Sequence, residues 1–459
     1  KAMDWNFLIK NKNSINVSTD TRNLPQGCVF FALKGERFNG NQYAVQALEQ
    51  GAAYAVVDED IPQTCSQQKC YAGKLIRVEN SLLALQDLAR EWRRQMGIPV
   101  IGITGTNGKT TTKELMAAVL KTKYNLLYTE GNLNNHIGVP LTLLRLTSEH
   151  RLAIVEMGAS HPGDIKELVD IALPDYGLIT NVGKAHLQGF GSFEGVMKTK
   201  RELYDYLLEH QGVIFRNQDN VLLAEMLRQS GVEHANGLPL REVNYSTSPM
   251  LQGTHLVGDY NSENIRAALC VGEYFGVDRE TAEKAIRDYV PSNNRSQLLT
   301  TDKNTLVVDA YNANVTSMTA AIQAFDGDTL ILGDMLELGE YSKAEHEHIL
   351  ELALSKKSMV ETAEKTVSQK SQGGDIKSQA ACIRPVKTVQ NILLVGEEFK
   401  CVGSANSMLE LARSQGINIL TFTNVDELRK HLQHDPLQGR KILIKGSHGI
   451  HLEKIIDLL

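Results

Sequence analysis

The chain has 459 residues, 42% hydrophobic and 22% charged, a globular usage that excludes a coiled coil, a collagen-like chain and a wholly disordered one. Its 48 basic and 54 acidic residues leave a net charge of −6, which gives no global argument for a nucleic-acid partner. No apolar run reaches the roughly 18 residues of a membrane-crossing helix, so no membrane partner is expected, and Lys1–Lys12 lacks the apolar core of a signal segment.

At roughly 150 residues per domain the length suits about three domains. Strand and helix patterns alternate, the mark of an α/β fold. The first segment reads as strand Cys28–Leu33, helix Gln42–Gln50, strands Ala53–Val57 and Leu75–Val78, and helix Leu82–Gln95. Gly97-Ile98-Pro99 punctuates the chain and sets the first boundary. A second segment opens on the apolar run Val100–Ile103 and continues through strands Leu152–Val155 and Leu178–Thr180. The polar stretch Val290–Ser296 reads as a linker. Strands Thr305–Val308, Thr329–Leu332, Ile392–Val395, Ile417–Phe422 and Lys441–Ile444 build the third segment. Ser355–Gln379 is rich in Ser, Lys and Gln and reads as a mobile insertion with little packing. The six cysteines include no C-x-x-C pair, which points to reduced thiols in a cytoplasmic protein; Cys65 and Cys70 are close enough in sequence to pair under oxidation.

The sharpest local signal follows the run Val100–Ile103: Thr104-Gly105-Thr106-Asn107-Gly108-Lys109-Thr110-Thr111. Glycines let backbone N–H groups close around phosphate, and a helix starting near Thr110 adds its positive end. Lys109 would reach the β- and γ-phosphates and the Thr110 hydroxyl would coordinate Mg²⁺. The strict G-x-x-x-x-G-K-T spacing fails by one residue, because Gly102 is one place early. Glu156 ends an apolar strand at the edge where open α/β sheets bind ligands. Spacing alone leaves it open between a Mg²⁺ ligand and a solvated strand-end acid. His186 follows the next strand, and a lone loop histidine is more often a surface residue. Lys198, Lys200 and Arg201, read unaided, form a solvated helix face.

Three further stretches accompany this loop: Gly131-Asn132-Leu133-Asn134-Asn135-His136-Ile137-Gly138-Val139-Pro140, Asp309-Ala310-Tyr311-Asn312-Ala313-Asn314 with Ser317-Met318, and Leu332-Gly333-Asp334-Met335-Leu336-Glu337-Leu338-Gly339. Together they resemble the Mur ligases of peptidoglycan synthesis, most closely the members that join D-alanyl-D-alanine to UDP-N-acetylmuramoyl-tripeptide. The likeness runs from about Ser18 to Ile455, excluding the insertion.

The resemblance implies an ATP-dependent acid–D-amino-acid (peptide) ligase working through an acyl phosphate, the last cytoplasmic step of precursor assembly, by a monomer. It implies a small N-terminal α/β domain for the uridine nucleotide (1–97), a central P-loop ATPase domain with a mainly parallel sheet (98–294), and a C-terminal Rossmann-like domain that closes on ATP and the dipeptide (295–459). ATP would be held by Gly105, Thr106, Asn107, Gly108, Lys109, Thr110, Thr111, Asn264, Arg295, Asp309 and Asn312. Two Mg²⁺ would be held by Thr110, Glu156, His186 and Lys200, the last as a carbamate. Lys109, Lys200, His186 and Glu156 are thereby the expected catalytic residues. The other substrates fall to Ser18, Asp20, Thr21, Arg22, Gly35, Asn134, Asn135 and Lys445, with Asp334 and Glu337 as candidates for the dipeptide ammonium. The alternatives for Asp334 and Glu337 are strand-end and helix-cap acids. Departures from the family pattern are Thr21 for Ser, Asn39 for Asp, Tyr260 for His, Val315 for Pro and His448 for Arg. Alternative readings are another amide ligase of the same superfamily, or a nucleotide-binding homologue without catalysis. The Asp-Asn-Pro-Arg motif of the ligase that adds the third stem residue is absent.

Overall fold

The computed structural model describes residues 3–61, 71, 73–233, 240–292, 295–369 and 389–459. The chain forms two compact units, one of residues 1–182, 197–246 and 266–282, the other of 183–196, 247–265 and 283–459. Among the described residues no helix is long and apolar enough to cross a membrane.

The first unit carries two parallel sheets. The smaller contains β1 (Val17–Ser18), β2 (Val29–Phe31), β5 (Tyr54–Val57) and β6 (Leu75–Arg77), in that order. A hairpin of β3 (Lys34–Gly35) and β4 (Phe38–Asn39) follows β2. The larger comprises β7 (Val100–Thr104), β8 (Leu126–Tyr128), β9 (Leu152–Glu156), β10 (Tyr176–Ile179), β11 (Val213–Asn217) and β12 (Glu242–Tyr245), ordered β12-β11-β10-β7-β9-β8. Every residue of β7 and β9 is buried, as expected of parallel strands covered on both faces. Because β9 and β10 flank β7, the strand order reverses there, the place where such sheets bind ligands.

The helix Ser81–Met96 begins where the Asn80 side chain accepts the Leu83 N–H at 2.9 Å and ends at left-handed Gly97 (φ 61°). Its face buries Leu85, Leu88 and Trp92, and the Trp92 indole donates to the Leu146 carbonyl at 3.1 Å. Arg93 reaches the Ala172 carbonyl and the Asp175 carboxylate. The expected boundary at residue 97 thus follows a helix that is itself packed into the first unit.

The second unit holds β13 (Gln297–Thr300), β14 (Thr305–Asp309), β15 (Thr329–Gly333), β16 (Asn391–Val395), β17 (Asn418–Phe422) and β18 (Lys441–Lys445), ordered β13-β14-β18-β15-β16-β17. All pairs are parallel except β13–β14. Alternate residues feed two cores: Val307, Leu330, Leu332, Leu394 and Leu443 on one face, Leu306, Val308, Ile331, Leu393 and Ile442 on the other.

The sequence reading found the apolar strands to within a residue or two and passed over β1, β3, β4, β8, β11, β12 and β13. The stretch starting at Ser355 begins inside the helix Ser342–Gln369, and Lys356 donates to the carbonyls of Ile322 and Phe325. That end is therefore tied to the fold, contrary to the expected loose insertion; residues 370–379 lie outside the described residues. So do Cys65 and Cys70, noted only as close enough to pair under oxidation, and part of the 290–296 linker.

Candidate active site

In the first unit the strand register sets the site. Ile103 of β7 pairs with Glu156 of β9, and Thr104 pairs with Ile179 of β10. The glycine loop therefore leaves β7 between the ends of its two neighbours. Gly105 has φ 142°, and a Cβ there would lie 2.0 Å from the Thr180 hydroxyl oxygen. Beyond it the Thr106 N–H donates to the Asn181 carbonyl and the Asn107 N–H to the Asn181 side chain, both at 2.9 Å. The Thr180 hydroxyl donates to the Asn107 carbonyl at 2.6 Å. Gly108, at φ 78°, opens the helix Lys109–Leu120. The Lys109 ammonium folds back onto the carbonyls of Gly105 (2.8 Å) and Thr106 (3.1 Å). Thr110 and Thr111 are buried at the start of that helix.

Glu156 is 1% exposed. Its Oε1 accepts from the Thr110 hydroxyl at 3.1 Å and from the Asn134 amide at 2.9 Å. Its Oε2 is buried with no hydrogen-bond donor among the described residues, 3.6 Å from the Lys113 ammonium. The strand-end acid is therefore not solvated. A buried carboxylate oxygen without a donor, beside a hydroxyl, is a hard oxygen set that suits Mg²⁺. Lys113, fully buried and one helical turn after Lys109, was missed by the sequence reading. So were Thr180 and Asn181.

Lys200 is 2% exposed and Arg201 is also buried; of the expected solvated face only Lys198 is exposed. The Lys200 Nζ lies 3.5 Å from the Ala159 carbonyl, just past the end of β9. Burial, and then the Lys109 ammonium, push its amine well below the usual lysine range. Asn135 spends its side-chain oxygen on the N–H groups of Ile137 and Gly138 (3.1 and 2.9 Å), starting the helix Gly138–Leu143.

In the smaller sheet's loops, Ser18 closes a turn with the backbone of Asp20. The Arg22 guanidinium grips both Asp20 oxygens and holds that carboxyl down at about 2. Gly35 lies on β3, whose Lys34 pairs with Asp58 and Glu59, each at 2.9 Å. Asn39 donates to Glu59. Thr21 is half-buried.

The second unit brings other expected residues together. His186 and Glu337 both adopt left-handed φ (49° and 64°), and their side chains bond to each other. The family resemblance implies a metal ligand for His186, and Glu337 is a candidate for the dipeptide ammonium with a strand-end or helix-cap acid as its alternative. Asp309 and Lys445 are register partners of β14 and β18, and their side chains pair at 2.5 Å. The Lys445 ammonium also donates to the Asn312 carbonyl. The Arg295 guanidinium lies 3.9 Å from the centre of the Tyr311 ring. Asn264 is buried and bonds to Asn261 at 2.8 Å. Tyr260 donates to or accepts from Ser296 at 2.8 Å, and burial raises its hydroxyl pKa. Asp334 is buried, and its two oxygens accept the N–H groups of Glu398 (3.0 Å) and Phe399 (2.8 Å). Burial raises its carboxyl pKa against those donors. That geometry favours the helix-cap alternative over direct binding of the dipeptide ammonium.

Three family descriptions match the chain: Mur ligase family, catalytic domain (residues 15–93), Mur ligase middle domain (103–272) and Mur ligase, glutamate ligase domain (294–392). The UDP-N-acetylmuramoyl-tripeptide–D-alanyl-D-alanine ligase of Bacillus subtilis is 34% identical over 96% of this chain and 93% of its own. The ligase of the same name from Escherichia coli is 36% identical over 73% of this chain and 78% of its own. Among solved structures, a crystal structure of MurF from Acinetobacter baumannii superposes with a TM-score of 0.75 at 28% identity, covering 96% of this chain and 93% of that one.

The glycine loop yields a direct test. Gly105→Ala places a methyl against Thr180 at a φ that side chains rarely adopt. Isothermal titration should find ATP binding weakened at least about 100-fold, an effect of roughly 2.7 kcal/mol, with the circular dichroism of the fold retained.

Proposed function

This chain belongs to the Mur ligase family, and we infer that it joins D-alanyl-D-alanine to UDP-N-acetylmuramoyl-tripeptide using ATP. The tripeptide carboxylate attacks the γ-phosphate and yields an acyl phosphate and ADP. The dipeptide amine then attacks the acyl carbon and expels phosphate, giving UDP-N-acetylmuramoyl-pentapeptide. We propose that the reaction takes place in the cytoplasm, where ATP is available, and that the chain acts as a monomer.

The observation that carries the assignment of chemistry is the Thr110–Glu156 pair behind the glycine loop. Mg²⁺ bound there would neutralise phosphate charge as two anions approach. Thr110 and Glu156 would hold one ion; a second, with His186 and a carbamate on Lys200 among its ligands, is assigned from the family likeness. Lys109 would turn from the loop carbonyls to the terminal phosphates. Asn134 keeps the Glu156 carboxylate oriented. We assign residues 1–97 to the uridine nucleotide, through Ser18, Asp20, Thr21, Arg22 and Gly35, residues 98–294 to ATP, and residues 295–459 to the dipeptide and the rest of ATP. Asn264, Arg295, Asp309 and Asn312 are the proposed outer ATP contacts, and Lys445 positions Asp309.

Lys200 must lose a proton before its amine can take up CO₂, and that addition releases a second proton to leave an anionic carbamate. Its burial beside Lys109 supports the first requirement.

Two experiments test this reading. Phosphate release with ATP and both substrates should require the tripeptide and the D-Ala-D-Ala dipeptide together, and mass spectrometry should find the pentapeptide. Release with the tripeptide and a single amino acid in place of the dipeptide would move the chain to another amide ligase. For Lys200, the Ala variant should lose at least about 100-fold in turnover, roughly 2.7 kcal/mol of barrier, and recover part of it with added short carboxylates. Full activity of Lys200→Arg, which keeps the cation but forms no such carbamate, would remove the carbamate from the account.

A further inference from the structure

We propose that His448, His451 and Glu453 form a binding site for a borderline divalent transition metal of the zinc class. One ligand atom from each lies within 4.8 Å of the other two. Two imidazoles and a carboxylate are the donors such ions prefer, whereas Mg²⁺ takes oxygen. The pair Thr110 and Glu156 and the trio at the chain's end therefore differ in the metal they select.

The fold builds this trio. His451 sits at φ 60° between two short turns, His448–Ile450 and Leu452–Leu458, and this bend turns the residues on either side of it together. The Ile450 N–H bonds to the Ser447 carbonyl and the His451 N–H to the His448 carbonyl, each at 2.9 Å. Leu452 and Ile455 are fully buried and anchor the second turn. The His448 ring stacks on Tyr311 with centroids 5.2 Å apart and planes at 21°. Tyr311 in turn lies under the Arg295 guanidinium. Ligands whose orientation is fixed before the metal arrives bind it with less ordering cost.

The carboxylate is also set for a metal. Glu453 Oε1 lies 3.1 Å from His451 Nδ1, while its Oε2 is shielded from solvent with no hydrogen-bond partner among the described residues. A metal would replace the His451–Glu453 contact with coordination through this carboxylate. Three protein ligands leave a fourth position for water. The spacing His-x-x-His-x-Glu exists because His448 stands where the family pattern has Arg.

Titration of the full chain with Co²⁺ in excess Mg²⁺ reports coordination through its visible d–d absorption. The expected result is a saturable, intense spectrum of low-coordinate Co²⁺, reversed by Zn²⁺. His451→Ala should weaken binding at least about tenfold, since loss of a ligand's outer-shell partner alone costs about that much. Glu453→Gln keeps the shape of the side chain and should do the same, which covers the case in which His451→Ala fails to fold. His434→Ala, outside the trio, should bind as the wild type does. Wild-type affinity in Glu453→Gln with an unchanged circular dichroism spectrum, or a wild-type spectrum no stronger than aqueous Co²⁺, would overturn the proposal.

Discussion

A carboxylate cannot remain charged in a protein interior unless other groups answer its charge. The site in the first unit is arranged around answering Glu156. One oxygen takes donors from the nucleotide helix (Thr110) and from the loop that follows β8 (Asn134), while the other faces Lys113 without a hydrogen bond. Thr110 and Lys113 share one helix, whereas Asn134 and Glu156 come from other parts of the chain. The parallel register of β7 and β9 puts the Glu156 backbone beside Ile103. The Glu156 N–H is held in turn by the Thr129 hydroxyl at 2.9 Å. Changing the register by one residue would turn the carboxylate to the other face of the sheet.

The same region concentrates positive charge. Lys109, Lys113 and Lys200 lie on two helices of the first unit, and two of the three are almost wholly buried. Neighbouring ammonium groups disfavour one another and favour a polyanion, and Glu114 and Glu156, 3.1 and 3.6 Å from Lys113, answer part of that charge. That repulsion appears in Lys200, whose amine is lowered by Lys109 after burial. A triphosphate with its metal resolves both demands. In the second unit the charges are instead closed in pairs: Lys445 with Asp309, and His186 with Glu337.

The sequence was most informative where structure is local or where burial is complete. The apolar strands of β7, β9, β14, β15 and β16 stand out because both faces of each sheet are covered. The edge strand β13 alternates between half-buried and exposed residues, has no apolar run, and is passed over in the sequence. The glycine loop is legible because its backbone needs specific residues in sequence. Lys113 is not, because its meaning depends on β9 lying beside the helix. Lys200 looks like a surface charge among other charges until the helix Phe193–Glu209 is packed. Nor does sequence bring His186 to Glu337, separated by 151 positions. The family likeness supplied Lys200 and His186 as candidates where spacing alone did not.

The central claim is that the Glu156 charge, more than its shape, prepares the site for magnesium and ATP. Glu156→Gln retains an oxygen for Thr110 and removes the charge facing Lys113. The decisive measurement is the Mg²⁺ dependence of phosphate release by this variant with all three substrates saturating. The account predicts turnover reduced at least about 100-fold, roughly 2.7 kcal/mol of barrier, and a higher Mg²⁺ concentration at half-maximal rate. Turnover within a few-fold of wild type at the same Mg²⁺ concentration would contradict it.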